Sequence, residues 1–511
     1  MARNAIVINV DIGERLVALI EDGVLAEVYI ERQRERSPVG NVYLGRVTRV
    51  LPGMQAAFVD IGLDRAAFLH VEDVVVAKDL EKLVEAEGGE DAKVEKRLSP
   101  RKRRKLSRRT PIRDVLKEGQ QLVVQVSKGP IGAKGARVTA HVALPGRYVV
   151  YFPTVDRIDV SKRLGSDKER RKLREALEAI KPEKGGLVLR RVDKQLTKKK
   201  LKADVGYLQA LWAEAEQRRA RAKKAPKLLH EELDLPLRSV RELLGPQVEE
   251  IVVDDQATYE RLRQFLAAFE PERVRDVKLY EGSEPLFDEY GIEEELQRAF
   301  SRKVPLPSGG YLIIDQAEAL TAIDVNTGRF TGKGGDVEET ILQTNLEAVR
   351  EIAYQLRFRN IGGLIVLDFI DMEKASHRDK VYRALQEMLK KDRARTAVMR
   401  ISELGLVEMT RRRTRESLGR TLYEACFYCD GTGLLKSKQT VCHEILREMR
   451  REKDALPGYE IVVTAHPAIC DMLQREEKAA IKEAERRFQR RIRLVPRSDY
   501  HLEQYDLRGR S

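Results

Sequence analysis

The sequence predicts an α+β multidomain protein with a small β-barrel near its N-terminal end. Short apolar runs with glycine punctuation are evenly spaced over residues 40–70, the spacing of a barrel. Helical signals rich in Lys and Arg dominate 165–225, and helix-like and strand-like stretches alternate over 236–300. A length of 511 residues leaves room for several cores, since a domain takes roughly 150 residues.

Residues 5–32 hold three apolar runs, and Asp22-Gly23 between the second and third signals a hairpin. The barrel runs are Val42–Val47, Ala56–Gly62 and Ala67–His70, resuming at Gln121–Val126 with β pattern on to Phe152. Between them, Arg101 to Arg109 carries seven Lys or Arg and no acid, which reads as an exposed basic insertion. Gly186–Arg191 is a strand within the helical stretch. A further strand-rich stretch runs from Gly310 to Asp324. Leu342, Leu346, Val349, Ala353 and Leu356 repeat at helical spacing, so Val337 to Phe358 is one helix. Leu364-Ile365-Val366-Leu367 is continuously apolar, the pattern of a strand buried on both faces. His377 to Lys391 is a second helix, and 440–511 reads as helix–strand–helix–strand.

Composition excludes several classes. No apolar run approaches the roughly 20 residues that span a bilayer. An acid appears by Asp11, too early for a secretory leader. Four cysteines are too few for a disulfide scaffold and suit a reducing compartment. With 95 Lys+Arg against 82 Asp+Glu, the net charge of +13 favours a polyanionic partner.

Two carboxylates are the catalytic candidates. Asp324 ends Thr321-Ala322-Ile323 and is followed by Val325-Asn326-Thr327-Gly328; Asp368 ends the apolar run above and precedes Phe369-Ile370-Asp371. Acids closing buried runs need a partner, and two at adjacent strand ends suit a hard divalent ion such as Mg²⁺. The plain alternative is strand-end capping. Asp324-Val325-Asn326-Thr327-Gly328 begins like a calcium loop but lacks the later ligands. Gly328 to Gly334 lacks the spacing of a phosphate loop, so Gly332, Gly334 and Gly335 read as a loop near the site. Cys426-Phe427-Tyr428-Cys429 supplies half of a four-ligand zinc site. Cys442 and His443 could complete it, or a second protomer could, although Cys442 and Cys470 read better as core. A redox role for the pair would need a thioredoxin-like context, which the sequence does not display. Phe58 and Phe68 on successive strands, with Lys128 and Lys134 on the last strands and their loop, suit an OB-type barrel that stacks bases and holds phosphates, the plain alternative being that Phe58 is a core residue.

These pieces resemble the ribonuclease E/G family of bacterial endoribonucleases over nearly the whole chain. Gly40–Val47 and Gln55–Gly62 are similar to its OB-fold RNA-binding domain. Thr321–Gly328, Gly334–Thr340, Thr344–Ala348 and Gly362–Met372 resemble its catalytic region in order. The resemblance implies an OB-fold RNA-binding barrel (36–140, basic insertion about 78–112) inserted in an RNase H-like domain (1–35 and 236–300). A 5′-end sensor region (141–235) separates the barrel from the second RNase H-like part. A DNase I-like catalytic domain (301–421), a zinc link (422–436) and a small α/β dimerisation domain (437–511) follow. It also implies Mg²⁺ on Asp324 and Asp368, with Asn326 orienting Asp324 or the scissile phosphate and Asp371 just outside these ligands. In-line attack of hydroxide on phosphorus would leave 5′-phosphate and 3′-hydroxyl ends on single-stranded RNA, in rRNA and tRNA processing and mRNA decay. Cys426 and Cys429 would share Zn²⁺ with the same pair of a second chain, giving a homodimer or homotetramer.

The family's 5′-phosphate sensor is an Arg-Thr pair; here Arg190 matches the Arg and Arg191 replaces the Thr. Arg191 can still chelate phosphate. Basic residues concentrate at 101–109, at 190–202 and in Arg411-Arg412-Arg413, the last two expected beside an RNA path. The expected location is the bacterial cytoplasm, with no membrane association and no scaffold tail for degradosome partners. A non-catalytic single-stranded RNA-binding protein is the alternative, but it leaves Asp324 and Asp368 no joint task.

Overall fold

The hairpin at Asp22-Gly23 forms as its chemistry demands. Asp22 and Gly23 have φ of 54° and 79°, the two positive angles that a type I′ turn requires. In this computed structural model the described residues are 3–74, 111–130, 134–160, 164, 166–192, 196–328, 337–413 and 415–511. The basic run at 101–109 and the glycines at 332, 334 and 335 lie outside them. The chain divides into two units, Met1–Leu418 and Gly419–Ser511.

Among the described residues, four sheets build the first unit. Strands Ala5–Asp11, Glu14–Glu21 and Val24–Arg32 form an antiparallel meander. Ala5–Asp11 also pairs in parallel with Glu250–Val253, which pairs with Val277–Leu279. Residues far apart in sequence thus share one core, in which Ile6, Ile8 and Val17 meet Leu262 and Leu266 of helix Gln256–Phe269. Between these segments the chain makes a closed five-stranded barrel. Val42–Leu51 pairs with Ala56–Asp60, then Ala67–His70, Arg137–Thr139 and Gln121–Lys128, which returns to Val42–Leu51. Lys227–His230 adds to the outside of Val42–Leu51. The β pattern after 121 does not all belong to the barrel: Leu144–Pro145 and Val149–Phe152 join Ile158–Val160 and Gly186–Leu189 in a separate sheet. Leu187 and Leu189 of that sheet pack with Leu201, Val205 and Leu208 of helix Lys198–Arg221.

The fourth sheet runs, in spatial order, Lys303–Pro305, Tyr311–Gln316, Leu320–Asn326, Gly363–Asp368, Leu406–Arg411, Thr396–Val398. Helix Val337–Phe358 has the predicted bounds, and the second helix is Ala375–Leu389. Both cover one face, burying Ile323, Val325, Ile365, Leu367, Val407 and Met409. Each such side chain removed from water contributes about 1.5–3 kcal/mol. Among the described residues the other face carries no helix from this cluster, which corrects one expectation. Gly363–Asp368 is not buried on both sides: Leu364 is 43% exposed, because alternate side chains of a one-sided sheet point to water. Arg411 is also corrected. It is 5% exposed, donates to Asp392 at 2.6 Å and to the Ile361 carbonyl at 2.9 Å, and so braces the sheet from inside. Arg412 and Arg413 are exposed.

In the second unit Arg491–Pro496, Glu460–Ala465 and Tyr505–Arg510 form a mixed sheet with helices Lys438–Glu452, Pro467–Arg475 and Lys478–Phe488. Two helices and two final strands stand where the sequence suggested one of each. Cys442 and Cys470 lie in its core. No helix among the described residues is long and apolar enough to cross a membrane.

Candidate active site

Leu320–Asn326 and Gly363–Asp368 run parallel as neighbours, and Asp324 is the register partner of Asp368. Adjacent strands lie about 4.8 Å apart, so both carboxylates rise side by side from one face. That face is the open one. Asp324 and Asp368 are exposed, which corrects the premise that they close buried runs. Asn326 Nδ2 donates to Asp324 Oδ2 at 2.7 Å. Partial burial first, then the charges of Asp324 and Asp371, hold the Asp368 carboxyl above its usual value. A neighbouring negative charge raises a carboxyl's proton affinity until a cation balances it.

The turn after Asp368 is held from below. Asn345 of the long helix is fully buried; its Nδ2 donates to the Ile370 carbonyl at 2.9 Å and its Oδ1 accepts from the Ile370 N–H at 3.1 Å. Glu338 accepts from the backbone of Lys374 at 3.1 Å and faces His377 Nδ1 at 3.1 Å. Gly405 has φ +75°, and a Cβ there would stand 2.6 Å from the Phe369 carbonyl and 3.3 Å from Asp371 Oδ1. Sequence reasoning missed Asn345, because a side chain that bonds only to backbone leaves no pairing signal. Hard oxygen donors on two strand ends, with an amide beside them, fit Mg²⁺, which needs one or two carboxylates and keeps its waters. Among the described residues no three His, Cys, Asp or Glu converge as a complete ligand set.

On the barrel, Phe58 and Phe68 are cross-strand partners, half-buried, with rings edge-to-face at 6.3 Å between centroids. They face outward, since Ala57, Val59, Ala67 and Leu69 fill the core. Register extends the pair into a row: Arg49 opposes Phe58, Phe68 opposes Arg137, and Arg137 opposes Lys128. Arg49 and Lys128 are exposed, whereas Arg137 donates to Asp73 at 2.8 Å. Lys134 is exposed in the loop before Arg137–Thr139. Arg49 and Arg137 are additions that only strand register reveals.

Arg190 Nη2 donates to Glu242 Oε1 at 2.8 Å, and Arg191 Nη2 donates to the Glu242 carbonyl at 2.8 Å. Desolvation, with Arg147 nearby, pulls Arg191 down to about 10.

In the second unit Cys426 is exposed and Cys429 half-buried. The Gly433 N–H donates to Cys429 Sγ at 3.3 Å, and this bond, with donation from the Cys426 side chain, lowers the Cys429 thiol below its usual value. Thiolate character and a tight turn suit zinc, and two sulfurs are half of its usual four ligands. Cys442 is fully buried in the core of this unit. Burial pushes it up to about 11, and His443 faces Glu477 at 3.6 Å.

A closed barrel with an outward aromatic row, in the same unit as a strand-end carboxylate pair, is the equipment of a polynucleotide-cleaving enzyme. The comparisons narrow that class. Residues 143–414 match the model of the Ribonuclease E/G family, and 425–510 match that of an RNase E/G thioredoxin-like domain. The chain is 41% identical to Ribonuclease G of Salmonella typhimurium (strain SL1344) and to that of Escherichia coli (strain K12), over 98% of its own length and 99% of theirs. To Ribonuclease E of Escherichia coli (strain K12) it is 37% identical over 93% of its length and 43% of that protein's. The chain belongs to the ribonuclease E/G family and is an endoribonuclease. The thioredoxin-like match corrects the expectation that such a context is missing. The Cys pair nonetheless lies in the turns before helix Lys438–Glu452, not at a helix N-terminus where a redox pair draws its reactivity.

Proposed function

We propose that this endoribonuclease is Mg²⁺-dependent, cuts single-stranded RNA to leave 5′-phosphate and 3′-hydroxyl ends, and works in rRNA and tRNA processing and mRNA decay in the cytoplasm. The register pairing of Asp324 with Asp368 carries the reading. These two carboxylates hold Mg²⁺, and Asn326 fixes the Asp324 rotamer through its 2.7 Å hydrogen bond. When bound, the ion supplies Lewis acidity toward the phosphate and a water of lowered pKa. Asp371 stands beside the pair and orders water, while Phe58 and Phe68 stack bases and Lys128 and Lys134 hold phosphates. Arg190 and Arg191 read the 5′ end of the substrate. Cys426 and Cys429 share one Zn²⁺ with the same pair of a second copy, linking a homodimer or a tetramer of two such pairs. The RNase H-like and DNase I-like assignments belong to this reading. They are supported by the split first sheet and by the one-sided aspartate sheet.

Purified protein incubated with end-labelled single-stranded RNA, with and without Mg²⁺, tests the proposal. Cleavage only with the metal, at sites whose products carry 5′-phosphate, is expected. Metal-independent cleavage or 2′,3′-cyclic ends would refute it.

A further inference from the structure

The end-sensing pair does not face empty solvent. Arg190 is bound to the Glu242 carboxylate at 2.8 Å, and Arg241 Nε reaches the same oxygen at 3.2 Å. Arg191 is bound to the backbone carbonyl of the same residue. Glu242 lies in the last turn of helix Leu235–Leu243, where the helix dipole disfavours an acid. Nothing in the local helix chemistry calls for a carboxylate there; the arginines do. Burial alone would raise the Glu242 carboxyl, yet Arg190 and Arg241 hold it below its usual value, so it stays an anion. Meanwhile Arg190 Nε is buried without a partner, and so is Nη1 of Arg147, one of the charges acting on Arg191. Glu232 takes Arg241 and Glu270 takes Arg147, at 2.8 Å each, yet Arg190 Nε and Arg147 Nη1 are left over.

We propose that Glu242 is an internal stand-in for the terminal phosphate, and that displacing it determines which 5′ ends this enzyme prefers. This rests on the reading of Arg190 as the end sensor. The Glu242 side chain is 37% exposed and that of Arg190 27%, and an ion pair so open to water is weak enough to exchange. A terminal phosphate brings close to two negative charges and three acceptor oxygens, so it can take the Arg190 Nη2 contact and also the idle Nε. A 5′-hydroxyl offers no anion and leaves Glu242 in place. The carboxylate thus sets a threshold that an end must exceed in charge.

The test compares kcat/KM for one RNA sequence with a 5′-monophosphate and with a 5′-hydroxyl, taken as a ratio, in the full-length protein. Glu242→Gln keeps the shape and removes the charge; the ratio should rise about tenfold, the scale of one charge-assisted hydrogen bond. Glu242→Asp, which restores the anion, should return it toward the starting value. Arg190→Gln should bring the ratio to one, alone or combined with Glu242→Gln. Should the Gln protein melt early, Glu242→Ser serves in its place. A ratio that stays level or falls in Glu242→Gln, while Arg190→Gln still lowers it, overturns the stand-in and leaves sensing intact. A ratio of one in all of these proteins overturns sensing itself, and the stand-in with it.

Discussion

Asn345 uses both ends of its side chain on the backbone of a single residue, Ile370, which lies between Asp368 and Asp371. Asn345→Ala leaves a buried N–H and carbonyl unpaired, at a cost of about 2–3 kcal/mol. The variant should melt earlier and cleave more slowly, with its half-saturating Mg²⁺ concentration raised and RNA affinity held. An unchanged Mg²⁺ requirement would mean that the residue supports the fold alone. Asp324→Asn and Asp368→Asn should each abolish cleavage while an anisotropy titration still reports RNA binding; full activity in either would sink the metal assignment. The two aspartates stood out in the sequence because each ends an apolar run, but the reason offered for them was wrong. They are exposed on a one-sided sheet, and a run such as Leu364–Leu367 does not say whether its second face is covered. Arg411 was misread in the same way, since a triplet of arginines carries no sign of which one turns inward.

Elements were easier to read where periodicity is long. The helix Val337–Phe358 repeats its apolar positions over its full length, and its bounds followed. Barrel closure was harder, because Gln121–Lys128 returns to Val42–Leu51 from far along the chain and no local pattern marks that pairing. Register then yields a row that spacing could not: Arg49, Phe58, Phe68, Arg137 and Lys128. Phe58→Ala should weaken binding of a single-stranded oligonucleotide about tenfold or more, as loss of one stacked base does. Arg49→Ala should weaken it less and flatten its salt dependence. Equal affinity in both variants would move the RNA path off this face. The Cys turn gives another check. After chelation, iodoacetamide should label Cys426 and Cys429 within minutes at pH 7.5. Cys442, fully buried and pushed up to about 11, should react only on unfolding. Early labelling of Cys442 would contradict its place in the core.

Across the whole first unit, Arg357 near the end of the long helix bonds Glu21 at 2.8 Å and Glu27 at 2.9 Å, both on the N-terminal meander. Arg415 lies 3.6 Å above the Tyr29 ring and donates to the Val28 carbonyl, fastening the same meander from the far side of the aspartate sheet's sequence. Burial would raise the Glu27 carboxyl, but Arg393, the Tyr29 hydroxyl and Arg357 outweigh it and hold the group low. Its stabilising effect is therefore complete above the ordinary Glu range and is lost as pH falls through the lowered value. Arg357→Ala should cost about 3 kcal/mol at pH 7, read as a lower melting temperature. The gap to the unmodified protein should narrow in acid, and a gap that widens would mean that Glu27 is not the partner that matters. The net charge of +13 gave no hint of this network, because many of its charges cancel in pairs. The split first sheet has one more consequence, in time rather than in space. Asn9 bonds Asp254 across 245 residues, so a ribosome adding about 5–20 residues per second must work for roughly 12–50 s before the first strand can meet its partner. Until then the meander has an unpaired edge, and the barrel, whose strands all emerge sooner, should be the first part of the chain to fold.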